Sequence, residues 1–178
     1  MGEDMGQLTQ AEKEEQKGKY VTFQSGDEYF GLKIQYVNEI IVFQDITPIP
    51  ETADYIKGLI NLRGKIIPVV DVRLRFGQTS FPYGDRTCII VIQLHDNVVG
   101  LIVEKIAEVV EIPEENILPS PTVGHSDKKQ AHFVQAIGKV GDDVKLILDP
   151  EKLLSDEDLA SIGKNEDSVE EESEEGEA

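Results

Sequence analysis

The stretch YIKGLINLRGKIIPVVDVR, residues 55–73, decides how this chain is read. Two apolar halves flank Arg63, and Gly64 follows it directly. Glycine populates positive φ without a Cβ penalty, so Arg63-Gly64 marks a reversal between two runs that fold back on each other. A permanent charge at that apex has two readings. Either it is paired inside the fold, with Glu39 or Asp71 as candidate partners, or it is displayed to another molecule. Residues 65–70 read as a strand, and Pro68 inside it points to an edge or a bulge, because proline has no ladder donor. Upstream, Thr47-Pro48-Ile49-Pro50 excludes a central strand, and Thr52 is placed to cap a short helix through Ile56 that stops near Gly58.

Outward from there the chain reads as short strands punctuated by turns. Residues 20–24 and 29–34 form a hairpin around SGDE, and EIIVF at 39–43 is a further strand. Strands are expected at 87–94, 98–103, 107–112, 133–140 and 144–148, with turns at His95-Asp96-Asn97 and Gly141-Asp142-Asp143. Residues 113–130, with prolines at 113, 119 and 121, read as irregular, and a helix near 151–162 closes the chain. About ten short strands with few helices indicate barrels or sandwiches. The loop at 77–86 divides the strands into two sets of similar size. The expectation is a mainly β fold of two small coupled barrels.

The 178 residues suffice for one domain, or for two small barrels sharing a core. Cys88 is the only cysteine, so no intrachain disulfide forms, as suits a reducing compartment such as the cytoplasm. MGEDMG at the start is too polar for a signal peptide, and Gly6 stands where a myristoylation site wants Ser or Thr. No apolar run has the length of a membrane span, so no direct membrane insertion is expected. The net charge is -18. Residues 1–18 hold 5 acidic and 2 basic side chains, and residues 164–178 hold 8 acidic side chains and 1 lysine. Both ends lack apolar periodicity and are expected to be disordered. The remainder is still acidic and repels phosphate backbones, which argues against nucleic acid as a partner. The tail serves either solubility or the recruitment of a basic partner.

A search for chemistry finds none. His95, His125 and His132 lack the spacing of a helical metal pair, and there is no cysteine cluster, so neither metal nor cofactor is expected. Cys88 opens an apolar strand and reads as a small core residue. Phosphate loops and nucleophile elbows are absent. Asp71 and Glu104 could be imagined as an acid pair, but both read as solvated strand ends.

The run YIKGLINLRGKIIPVVDVR resembles the signature of the CheW family, adaptors of bacterial chemotaxis. GDEYFGLKIQYVNEI, VVGLIVEKIAEVVEI and LILDPEKLL extend the resemblance from about Lys19 to Leu154, in the family's order. The acidic C-terminal tail departs from it. The resemblance implies two SH3-like five-stranded β-barrels with short helices over residues 19–163, between a flexible segment 1–18 and a tail 164–178. It implies a non-catalytic scaffold that couples the cytoplasmic tips of transmembrane chemoreceptors to the CheW-like regulatory domain of the histidine kinase CheA, at receptor arrays under the inner membrane. By motif, Val37, Glu39, Arg63 and Val109 match receptor-contact positions, and Ile46 and Gly58 match kinase-contact positions. Core packing for the two valines, and a helix stop for Gly58, are the plainer alternatives. Two other readings stand beside the adaptor. One is a CheW-like domain of a CheV- or CheA-type protein, although no receiver domain follows residue 160. The other is a small-ligand or enzymatic barrel, which lacks a convergent polar cluster.

Overall fold

The computed structural model describes residue 11 and residues 16–120 and 132–160. Within them the chain forms eleven strands. These are β1 (Lys19–Ser25), β2 (Glu28–Lys33), β3 (Val37–Val42), β4 (Ile56–Leu62), β5 (Lys65–Asp71), β6 (Cys88–Leu94), β7 (Asn97–Val103), β8 (Lys105–Glu111), β9 (Ile117–Pro119), β10 (Val134–Val140) and β11 (Asp143–Leu148). A four-residue helix, α1 (Val72–Arg75), follows β5. No described helix is long and apolar enough to cross a membrane.

Two sheets result, one ordered β8-β1-β2-β11-β10-β9 and the other β3-β6-β7-β5-β4. Each is built from antiparallel neighbours plus one parallel joint, β2 with β11 and β5 with β7. The second sheet curls until its edges meet. Beyond β3 the chain runs on to Thr47, which exchanges backbone hydrogen bonds of 2.9 and 2.8 Å with Leu59 of β4. In the first sheet the edge strands β8 and β9 are consecutive, joined through Pro113 and the single turn Glu114–Asn116, so the connection wraps one edge toward the other.

Three apolar clusters fill this arrangement. Ile60, Ile67, Val69, Ile89, Val91 and Ile102 fill the second sheet's concave side, and Tyr20, Ile112 and Ile147 fill the first's. The largest cluster lies between the sheets and takes Phe23, Phe30 and Leu148 from one and Ile90, Ile92 and Leu101 from the other. This explains why CIIVIQL of β6 shows no polar alternation. Ile89 and Val91 face their own sheet's core while Ile90 and Ile92 face the shared one, so both faces are buried.

Several expectations need correction. The loop at 77–86 does not separate the sheets. It lies between β5 and β6 of one sheet, while β1 and β2 join β8 to β11 in the other, because the parallel β2–β11 joint brings the chain's two ends together. One set therefore has six strands rather than five, β9 arising inside the proline-rich segment expected to be irregular. Residues 121–130 of that segment lie outside the described residues, as do residues 1–10, 12–15 and 161–178 with the expectations placed on them. Gly18, assigned to the flexible start, accepts a hydrogen bond from the Ile112 amide at 2.8 Å.

Thr52 caps no helix. Its hydroxyl donates to the Ile49 carbonyl at 3.2 Å, and Glu51 has φ 61, so a tight turn replaces the helix and β4 begins at Ile56. So short a segment gains too few hydrogen bonds to offset helix nucleation. Pro68 stands in an inner strand, not at an edge or bulge. It pairs with Leu59, whose own amide and carbonyl point away to Thr47, so no donor is wanted from Pro68 on that side. The closing helix is broken into a 3-10 turn, Pro150–Lys152, and a helical run over 156–160 that Ser155 caps by accepting from the Asp158 amide at 3.1 Å.

Candidate functional site

Arg63 sits in a two-residue connection, since Leu62 pairs directly with Lys65. Both connecting residues are left-handed, Arg63 at φ 54 and Gly64 at φ 88, the geometry that matches the twist of a tight hairpin. Glycine adopts it freely, whereas arginine bears a cost of about 1–2 kcal/mol. Asn61 offsets it in part by accepting the Gly64 amide at 2.8 Å on Oδ1. The carbonyl of Asn61 accepts from Gln44 Nε2 at 3.2 Å, tying the hairpin to the strand extension beside it.

The strand it extends, β3, carries the partner of Arg63, whose guanidinium donates to the Glu39 carboxylate. Of the two internal partners suggested by sequence, Glu39 is realised and Asp71 is not. The pair is open to solvent, with side-chain exposures of 71% for Arg63 and 30% for Glu39. The charge is therefore paired within the fold and still open to solvent. Val37 begins the same strand, pairs with Ile92 across a register shift, and packs partly buried against the shared core. Val109 belongs to β8 of the other sheet, opposite Val21, with 55% of its surface exposed. Core packing thus accounts for part of Val37 and does not account for Val109.

Ile46 and Gly58 are in contact. A Cβ at Gly58 would lie 2.0 Å from the Thr47 carbonyl oxygen and 2.8 Å from Ile46 Cγ2, and Gly58 has φ 146. It sits at a register shift between β4 and β5, not at a helix end. Only glycine lets the barrel-closing strand come so near. Two apolar residues that the sequence reading did not single out flank this region. Ile40 and Val42 of β3 stand exposed while Ile41 and Phe43 turn inward. Their period-two alternation was the available signal.

The family model of the CheW-like domain matches residues 19–158. The chain belongs to the CheW-like family. It is 33% identical over 144 residues to the chemotaxis protein CheW of Klebsiella aerogenes, covering 81% of this chain and 86% of that one. It is 31% identical to the chemotaxis protein CheW of Treponema pallidum, with 80% and 85% covered. The crystal structure of the scaffolding protein TtCheW from Thermoanaerobacter tengcongensis superposes with a TM-score of 0.68 at 39% identity, covering 74% of this chain and 88% of that one. The role that membership carries is that of a non-catalytic chemotaxis scaffold.

Outside the two candidate surfaces, several polar side chains of this CheW-like chain anchor α1 and the segments around it. Asp71 is fully buried, not solvated. It accepts from the amides of Arg73 and Leu74 at 2.9 and 3.2 Å and from the Tyr83 hydroxyl at 2.5 Å. Glu104 forms no acid pair with it. Glu104 binds the Arg73 guanidinium and accepts the Gly26 amide at 3.2 Å, linking α1 to the β1–β2 turn. Arg75 lies over the rings of Tyr55 and Phe133 at 4.5 and 4.7 Å, and its Nε donates to the Leu153 carbonyl. Burial, and then the hydrogen bond to Asp71, raise the Tyr83 phenol well above the ordinary tyrosine value. Burial and the hydrogen bond to Asp158 push Tyr55 up to about 12. Burial also raises the Cys88 thiol, which leaves it less of the nucleophilic thiolate. His95, at the β6–β7 turn, pairs with Glu151 at 3.1 Å, and His132 packs edge-on to Phe133. His125 lies outside the described residues.

Proposed function

We propose that the protein couples the cytoplasmic tips of transmembrane chemoreceptors to the histidine kinase CheA through two separate surfaces. The observation that carries this reading is the exposed Arg63–Glu39 pair on a tight two-residue hairpin tip, in a chain of the CheW-like family. The receptor surface comprises Glu39 and Arg63, with Val37 beside them and exposed Val109 contributed by the other sheet. A helical receptor tip offers an apolar stripe with polar flanks, and an arginine fork with an apolar stem suits the rim of the groove that receives it. The kinase surface centres on Ile46, held against Gly58. CheA's regulatory domain is taken as the partner there. The protein would then reside in the cytoplasm, at receptor arrays under the inner membrane.

The test is co-sedimentation with a purified receptor cytoplasmic fragment and the CheA regulatory domain, separately and together. The expected result is binding of both at once. Binding of neither, or mutual exclusion of the two, would refute the coupling. A fluorescent fusion should gather at receptor clusters and disperse in cells lacking receptors.

A further inference from the structure

We propose that Asn61 is a positioning residue for receptor docking, holding the Arg63–Gly64 turn in the one conformation that presents Arg63 beside Glu39. The inference rests on the reading of Arg63 as a receptor contact. The tip of the β4–β5 hairpin is built against the preference of its own residues. The first position of so tight a turn favours Asn, Asp or Gly, and Arg63 stands there at φ 54. Some other group must hold the turn, and one residue does so from two sides. Asn61 Oδ1 accepts the Gly64 amide at 2.8 Å, which closes the turn upon itself. The Asn61 carbonyl accepts Gln44 Nε2 at 3.2 Å from the extension of the strand that carries Glu39. The first bond fixes the backbone from which Arg63 departs, and the second fixes that backbone relative to Glu39. Releasing the Gly64 amide would let Arg63 relax toward a right-handed conformation, and the guanidinium would leave the place where the carboxylate meets it.

Asn61 is itself exposed, so a direct contact with the partner is the competing explanation. A double-mutant cycle separates the two. Affinity for a purified chemoreceptor cytoplasmic fragment is measured for wild type, Asn61→Ala, Asn61→Asp, Arg63→Ala and Asn61→Ala/Arg63→Ala, together with hydrogen exchange at the Gly64 amide. Asn61→Ala should weaken receptor binding by about threefold to tenfold, the scale of one lost hydrogen bond, and should speed exchange at Gly64. Asn61→Asp keeps the acceptor and should restore both. In the Arg63→Ala background, Asn61→Ala should cost no further affinity, and binding of the CheA regulatory domain should be unchanged throughout. Additive losses in the double variant would overturn the proposal in favour of direct contact. Unchanged receptor affinity in Asn61→Ala, with Arg63→Ala weakened, would overturn it as well. An Arg63→Ala variant that binds normally would instead sink the receptor reading itself, while Gly64 exchange still reports whether Asn61 holds the turn. If Asn61→Ala fails to fold, Asn61→Ser supplies the comparison.

Discussion

Arg63, at the tip of the β4–β5 hairpin, and Glu39, on β3, form an ion pair across the line where the second barrel closes on itself. Closure makes this contact possible, because the extension of β3 is drawn along β4 by the Thr47–Leu59 bridge. An exposed pair of this kind is worth about 0–1 kcal/mol to stability. Arg63→Ala should therefore melt nearly with wild type. It should weaken receptor binding by about 1–3 kcal/mol, the scale of an interface hot spot, and leave kinase binding intact. A melting curve and a titration against receptor fragments check both halves. Early melting, or a stable variant with normal affinity, would contradict the assignment.

Gly58 and Ile46 adjoin each other, yet they should fail in different ways. A methyl group at Gly58 would collide with the Thr47 carbonyl at a backbone angle that side chains rarely adopt. Gly58→Ala should cost at least about 1–3 kcal/mol of stability, and any loss of kinase binding would follow from the barrel opening. Ile46 is only partly buried against the second cluster. Ile46→Ala should retain most of the stability and lose affinity for the kinase regulatory domain. Urea midpoints set beside binding isotherms separate the two effects. An Ile46→Ala variant of full affinity would remove that residue from the kinase surface.

The strands were legible wherever period two or a turn dipeptide marked them, as at Gly141-Asp142 between β10 and β11. β4 was obscured because Gly58 imitates a helix stop, when its purpose is to admit Thr47 from a segment about ten residues earlier. Sheet membership was illegible for a related reason. The parallel joints β2–β11 and β5–β7 unite strands that no local pattern relates. The Arg63 turn could be read from its glycine, and Glu39 could be named as one possible partner. The choice between Glu39 and Asp71 depended on burial. Asp71 is covered by Tyr83, which arrives from the 77–86 loop and leaves no traces in the residues around Asp71.

Residues 164–178 carry 8 acidic side chains, 1 lysine and almost no apolar groups. Such a segment has little to bury and much self-repulsion. Its deletion should change stability by less than about 0.5 kcal/mol, the range of ordinary surface changes. Denaturation of the chain ending at residue 163 tests this, and a clear drop in the midpoint would show that the tail packs on the barrels.

The Tyr83–Asp71 hydrogen bond gives the fold a defined alkaline limit. The hydroxyl donates at 2.5 Å to a fully buried carboxylate, and ionising the phenol would set two negative charges against each other. Tyr83 and Tyr55 both have folded pKa values raised above the ordinary tyrosine value, first by burial and then by hydrogen bonds to Asp71 and Asp158. A group raised in the folded state stabilises it fully below its unfolded pKa, here about 10. That stabilisation is lost as pH rises through the folded values, which begin at about 12 for Tyr55 and lie higher for Tyr83. Stability should thus hold from neutrality to about pH 10 and decline steadily above it. Tyr83→Phe removes the donor and strands a buried carboxylate oxygen, so it should cost about 1–3 kcal/mol near neutral pH. The same variant should show a shallower alkaline decline, since one of the two responsible phenols is gone. Urea midpoints of wild type and variant, taken from pH 7 upward at constant ionic strength, test both consequences. A variant as stable as wild type at neutral pH, or one with an equally steep alkaline decline, would show that Tyr83 does not hold this part of the fold.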